Sequence, residues 1–351
     1  MTIVLQVLGV TAGLGFLIFI HELGHFFAAK MCKVRILTFA IGFGPDLIKH
    51  TYKGTKYCIK AVPFGGFVSM AGDNPTGATG GEGEYLSLKW YRKVWISFAG
   101  PFFNYALAVF LFAFVFNIWG TPKLPISSSI GAVVENCPAA QAGLVPGDKI
   151  KSIDGVEIDT WNELLSNLKN KAEKQTAFVI ERGIYSFDLS MIVAKDSATG
   201  EGSIGIAPLT TNIKVGFFKS ICLGAKVSIT QTVLPVAYLI DKVISFETPE
   251  ILGPIGIMRT MANVTKSGMQ DYLRFLAIIS VALGLFNLFP IPMVDGGMIV
   301  LFFVEGIIKK QISAKIVQIY NTIGLVFTVV IFLFATYSDI LRLGVGKLFG
   351  K

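Results

Sequence analysis

His21, Glu22 and His25 stand in the order H-E-x-x-H inside the first apolar stretch of this 351-residue chain. On a helix, residues i and i+4 share a face, so both imidazoles can reach one metal ion. The glutamate between them is then placed to take a proton from water, whose pKa a bound zinc ion lowers to about 7. The chain has only three histidines, and two of them make this motif where ionisable groups are costly. The third, His50, reads as an ordinary residue of a polar loop. Catalytic zinc commonly takes three protein ligands and leaves the fourth position to water. With no third histidine in an apolar stretch, a carboxylate has to complete the set. Asp241, Asp295 and Glu305 are the candidates in apolar surroundings.

The elements that must position these groups are membrane helices. Hydrophobic residues make up 53 % of the chain and charged ones 15 %, with mean hydropathy +0.63. That balance excludes disorder, coiled coil, collagen and a disulfide scaffold. Residues 2–29 contain no Lys, Arg or Asp and can cross a hydrocarbon core ~30 Å thick. A cleaved signal peptide fits this stretch poorly, because it lacks a basic start and Lys30 follows with no small-residue cleavage site. Further spans are expected over 95–119, with a tryptophan at each end, over 275–304, interrupted by Pro290, Pro292, Gly296 and Gly297, and over 316–337. Residues 215–245 are apolar but interrupted. Only 227–240 is free of charge, so an interfacial amphipathic segment is expected there rather than a fifth span.

Charge sets the orientation. The net charge is +8, and the loop between the first two spans carries ten basic residues against four acidic ones. This places that loop in the cytoplasm and both termini and residues 120–270 outside, and it makes nucleic acid an unneeded partner. Spans one and three then run the same way. His21 and His25 lie about twenty residues into the first, and Asp295 lies a similar distance into the third. Depth therefore favours Asp295 as the third ligand. Asp241 belongs to the outer interfacial segment, and Glu305, near Lys309 and Lys310, reads as a cytoplasmic helix end. The two prolines and two glycines around Asp295 break the helix, which at membrane depth is tolerated only in a protein interior or beside a wet cavity.

Residues 130–193 return to the polarity of a soluble domain, with short β-type runs and one amphipathic helix over 161–169. Residues 142–155, AGLVPGDKIKSIDG, resemble the signature of bacterial PDZ domains, which bind extended peptides by strand addition. The domains expected are a membrane core over 1–126, a PDZ domain over 127–196, an outer linker and interfacial segment over 197–274, and the rest of the core over 275–351. Cys32, Cys58, Cys137 and Cys222 make no C-x-x-C pair, hence neither a thiolate zinc site nor a redox dithiol. Whether Cys137 and Cys222 pair is left open.

H-E-x-x-H in the first span, with Asn287, Pro290, Pro292, Asp295 and Gly296 in a later one, resembles the site-2 protease family of intramembrane zinc metalloproteases. With the PDZ insert, the chain resembles the bacterial regulator-of-sigma-E proteases of that family. The resemblance implies one zinc ion on His21, His25 and Asp295, Glu22 as catalytic base, and Asn287 on the substrate backbone. Residues 55–72 resemble the family's membrane-dipping β-hairpin, which holds unwound substrate as an added strand. Their alternation and the Gly65-Gly66 pair, followed by Phe67, favour a hairpin turning there. Gly100-Pro101-Phe-Phe-Asn104 resembles the motif opening the second span. The resemblance also implies a multi-pass protein of the bacterial inner membrane. Its substrate would be a single-span protein such as an anti-sigma factor or a signal-peptide remnant, already trimmed outside. The alternatives are a PDZ-bearing membrane scaffold with a vestigial motif, and an ion or proton carrier using Asp295 and the histidines.

Overall fold

The computed structural model describes residues 3–342 except 75–78, 124–126, 135, 197–199, 210 and 247–252. Contacts divide the chain into two units, Met1–Asn117 with Gly216–Lys351, and Ile118–Val215. The second is wider than the 127–196 expected for a PDZ domain.

The first unit opens on helix α1, Ile3–Met31, whose 29 residues reach ~43 Å. Strands β1, Ile36–Tyr52, and β2, Thr55–Met70, follow as one long antiparallel ribbon. The tight turn lies at Lys53 and Gly54, both at positive φ, and not at Gly65-Gly66. Paired positive-φ residues are what a two-residue hairpin turn requires. Gly65-Gly66 instead lies inside β2, where the missing side chains let other groups come close. The ribbon folds over on itself, so residues 38–41 pair with 56–59 on one edge and with 66–69 on the other. Asp46 ties the fold through Lys56 (2.5 Å) and Lys60 (2.9 Å). Hydrogen bonds from those two lysines hold its carboxyl down to about 2. Helix α2, Trp90–Trp119, contains Pro101.

The second unit is a small α+β domain. Its elements are β3 (Thr121–Lys123), β4 (Ile130–Val133), α3 (Pro138–Gln141), β5 (Lys149–Ile153), β6 (Val156–Glu157), α4 (Trp161–Lys169), β7 (Gln175–Arg182), β8 (Tyr185–Ile192), β9 (Ala194–Lys195), β10 (Gly202–Ser203), β11 (Ile206–Pro208) and β12 (Thr211–Ile213). A four-stranded sheet in the order β6-β5-β7-β8 carries the core, with Ile150, Phe178 and Ile180 packed on Trp161, Leu164 and Leu168 of α4. Thr160 and Glu163 close α4 with a capping box. Asp148, fully buried, accepts from Arg182 Nε (2.6 Å) and from the Val145 N–H (2.9 Å), which fixes the turn of the AGLVPGD segment.

Back in the first unit, α5 (Phe217–Ile244) and α6 (Pro254–Ser267) lead to α7 (Met269–Leu288), α8 (Asp295–Ile308) and α9 (Ala314–Arg342). Where the sequence suggests one span over 275–304, α7 and α8 are separate helices. Phe289 and Ile291 each precede a proline, a position that disfavours helix, and Phe289 adopts extended backbone. The intervening segment folds against the start of α8, where a side chain at Gly296 or Gly297 would strike the carbonyls of Leu288 or Ile291. Residues 217–244 form one 28-residue helix that carries Lys219, Lys226, Asp241 and Lys242. Gly224 meets the α2 backbone at Val109, and the Tyr105 and Thr232 hydroxyls lie 3.0 Å apart, so α5 runs antiparallel to α2. By length and composition, five helices among the described residues could cross a membrane, against the four spans expected: α1, α2, α5, α7 and α9. Helices α1 and α7 run parallel. The Tyr272 hydroxyl donates to the Gly9 carbonyl (2.7 Å), a side chain at Gly13 would strike Leu276, and farther along His21 meets Asp295 just past the α7–α8 break. All four cysteines are free thiols.

Candidate active site

The site is built where α1, α2, the α7–α8 break and β2 converge. Helical spacing puts the Nε2 atoms of His21 and His25 3.2 Å apart. Asp295, the first residue of α8, brings Oδ2 to 3.1 Å from His21 Nε2 and Oδ1 to 3.4 Å from His25 Nε2. It reaches them because the break after Leu288 turns the chain before α8 begins. Among the described residues these three form the one cluster of His, Cys, Asp and Glu able to hold a metal ion. Asp241 is exposed on α5, and Glu305 belongs elsewhere: its carboxylate takes 2.8 and 3.0 Å hydrogen bonds from Lys93, both residues being buried.

These spacings suit a metal. Ligand atoms ~2.0–2.2 Å from one tetrahedral centre stand ~3.3–3.6 Å from one another, near the separations above, and one ligand atom from each of the three residues lies within 4.8 Å of the others. Two imidazole Nε2 atoms face one another across a gap where at most one can donate. Asp295 Oδ2, buried, takes no hydrogen bond despite its nearness to His21. A shared cation satisfies all three groups at once.

Helix α2 supplies the backing. It passes so close to α1 that a side chain at Gly24 would strike the Ala99 carbonyl, and one at Gly100 would strike both histidine rings. The His25 Nδ1–H donates to the Ile96 carbonyl (2.8 Å), and the Asn104 amide lies 3.0 Å from His21 Nδ1. Sequence reasoning assigned no part in the site to Ile96, Gly100 or Asn104. The only signal, the 100–104 motif, gives no partner.

Glu22 is half-buried and lies along β2. Gly66 faces it so closely that an added Cβ would be 3.3 Å from Glu22 Cγ, and the Val68 N–H is directed at its carboxylate. Gly65, at φ +104°, sits beneath the Phe43 ring. Phe67 stacks on Phe43 (centroids 6.4 Å) and so belongs to the sheet. Asn287 is half-buried in the last turn of α7, outside the His–Asp cluster. A cavity of about 510 Å³ opens beside the cluster, lined by His25, Val68, Tyr85, Ser97, Asp295 and Asn321 among others.

Two histidines one helical turn apart and an acid from a broken helix, held among apolar helices beside a glutamate, make a group that could hold a metal ion in a membrane-embedded protein. Comparison with known proteins narrows the class. The chain belongs to peptidase family M50, the site-2 protease family, whose model matches residues 9–331, and it is thus a metallopeptidase and a multi-pass membrane protein. It is 33 % identical over 350 residues to "Putative zinc metalloprotease Cj1068" of Campylobacter jejuni, covering 94 % of this chain and 92 % of that one. It is 28 % identical over 376 residues to the metalloprotease MmpA of Caulobacter vibrioides, covering 94 % of each. Among solved structures, the PDZ domain of an SdrC-like protein from Listeria monocytogenes matches 25 % of this chain and 94 % of its own, at 20 % identity and TM-score 0.23.

Proposed function

We propose that the chain hydrolyses a peptide bond within the membrane-spanning segment of a single-span protein, with His21, His25 and Asp295 holding one zinc ion and Glu22 as base. The observation that carries this reading is the mutual spacing of the two Nε2 atoms and the Asp295 carboxylate, 3.1 to 3.4 Å. Zinc bound there supplies Lewis acidity, which polarises the scissile carbonyl and makes water acidic enough to deprotonate near neutral pH. Glu22 takes the proton from the attacking water and delivers it to the departing amine as the C–N bond breaks. Apolar helices around the site exclude bulk water, and the neighbouring cavity gives the substrate backbone room. A helical peptide bond is shielded by its own hydrogen bonds. The substrate is therefore read as unwinding locally and lying as a strand along β2 near Gly65, Gly66 and Phe67, with Asn287 on its backbone.

The parallel course of α1 and α7 supports four spans. Helices that start and end together begin on the same side, so an even number of crossings separates α2 from α7. Helix α6, 14 residues or ~21 Å, is too short to cross alone. Helix α5 therefore dips along α2 and does not cross. This keeps the α1–α2 loop cytoplasmic, the 118–215 unit and both termini outside the inner membrane, and the metal site towards the cytoplasm. The 118–215 unit is read as a PDZ domain that takes a peptide or excludes substrates with bulky outer domains. An anti-sigma factor or a signal-peptide remnant is the kind of substrate meant.

Glu22→Gln tests the reading. The variant should retain zinc, by metal analysis of the purified protein, and lose cleavage of a model transmembrane substrate. Undiminished cleavage would remove Glu22 from the chemistry.

A further inference from the structure

Helix α2 meets the two histidines with one residue per turn. Ile96, Gly100 and Asn104 are spaced i, i+4, i+8 and so lie on one face. Running antiparallel to α1, they oppose His25, both rings and His21 in that order. Gly100 is bare, so the rings seat directly on the helix. Pro101 has no N–H to give the Ser97 carbonyl, which loosens the backbone ladder beside the turn where the Ile96 carbonyl serves His25. The two imidazoles are thus supported differently: His25 by a main-chain carbonyl, His21 by a side chain.

We propose that Asn104 is the positioning residue of His21: its amide oxygen accepts the Nδ1–H and so fixes the tautomer whose Nε2 lone pair faces the metal. The inference rests on the zinc-site reading above. An imidazole that ligates through Nε2 carries its proton on Nδ1, and that proton needs an acceptor. Asn104 is the group there, at 3.0 Å and fully buried. Its Nδ2 faces His21 Nδ1, while Oδ1 is buried with no partner. Amide oxygen and nitrogen are distinguished only by their hydrogen bonds. Turning the amide by 180° presents the orphaned oxygen to the Nδ1–H. The residue is held for this task by its own backbone, since the Ser280 hydroxyl of α7 donates to the Asn104 carbonyl (2.8 Å). The α7 bundle that delivers Asp295 thereby also fixes the height of Asn104.

The test uses the full-length protein in detergent, with zinc affinity measured by chelator competition and site geometry by the absorption spectrum of the cobalt-substituted form. Asn104→Leu keeps the volume and removes the acceptor; it should melt like the metal-free wild type yet bind zinc ~10–100-fold more weakly, the usual loss for such a partner. Asn104→Asp, which can only accept, should restore affinity to within about threefold of wild type and keep the cobalt spectrum. Asn104→Ser, too short to reach Nδ1, should behave like the leucine variant and carries the test if that variant does not fold. Wild-type affinity in the leucine or serine variant overturns the inference and leaves the zinc site standing. Equal weakening in the aspartate variant also overturns it, because packing rather than an acceptor would then be at stake. A wild type that binds no zinc, or a His21→Ala variant that binds it unchanged, overturns the site reading itself.

Discussion

Gly100→Ala is the sharpest perturbation of the site that leaves every chemical group in place. A Cβ there would lie 2.6 Å from His25 Cε1 and 2.8 Å from His21 Cε1, and closer still to His25 Nε2. Ordinary carbon contacts need ~3.5 Å, so the His21 ring must retreat by about 0.7 Å and the His25 ring by about 0.9 Å, or α1 and α2 must separate by as much. A metal site tolerates about 0.2 Å in its ligand distances, several times less than that retreat. Helix separation is resisted nearby, where the Gly24 position already abuts the Ala99 carbonyl. Overpacking of this kind costs ~1–3 kcal/mol, and at ~1.4 kcal/mol per factor of ten this weakens zinc binding about 5- to 150-fold. The measurement is chelator competition on purified protein, beside Gly81→Ala as a control, where the nearest neighbour to an added Cβ is 3.5 Å away. Zinc affinity in Gly100→Ala equal to that of the control would mean that α2 does not seat the histidines as described, and the reasoning about this helix contact would fail.

Two further outcomes follow from buried charges. Lys93→Met or Glu305→Met alone should destabilise the first unit by ~3–5 kcal/mol, because each strands the partner's charge in an apolar interior, whereas the double variant should recover most of the loss. Thermal unfolding in detergent reads this, and single variants as stable as wild type would refute it. In the outer unit, hydrogen bonds from Arg182 hold the Asp148 carboxyl below the usual carboxylate range. Its folded value thus lies below its unfolded one, so the stabilisation is present above the unfolded value of ~3.9 and drains away as pH falls towards the folded one. Hydrogen-exchange protection factors in residues 118–215, corrected for the intrinsic rate at each pH, should fall in acid more steeply in the wild type than in Asp148→Asn. Parallel pH profiles would contradict the assignment.

What the sequence could reveal was set by the range of the interaction concerned. The i, i+4 histidines and their intervening glutamate are a local pattern, and the meeting with Asp295 follows from span lengths and orientation, which hydropathy and loop charge report. The turn at Lys53-Gly54 was also local, but the Gly65-Gly66 pair is a stronger turn signal read in isolation. Its use, close approach to Phe43, Ala40 and Glu22, depends on a fold-over of the ribbon that alternation does not encode. Helix α5 extends beyond the charge-free run 227–240 because lysines on a helix keep their ammonium groups in water while their stems pack.

The pairing of Glu305 with Lys93 joins residues 212 apart in sequence, while Lys309 and Lys310 were simply the cations adjacent in the chain. The supports of the histidines were hidden for a deeper reason. A bare glycine, a helical carbonyl and a buried asparagine acquire meaning only as one face of α2 laid against one face of α1. Neither helix specifies that contact alone. A catalytic motif is therefore readable in its own helix, whereas the geometry that makes it competent is stored in the neighbour. Substitutions on α2 should accordingly separate metal affinity from the presence of the motif.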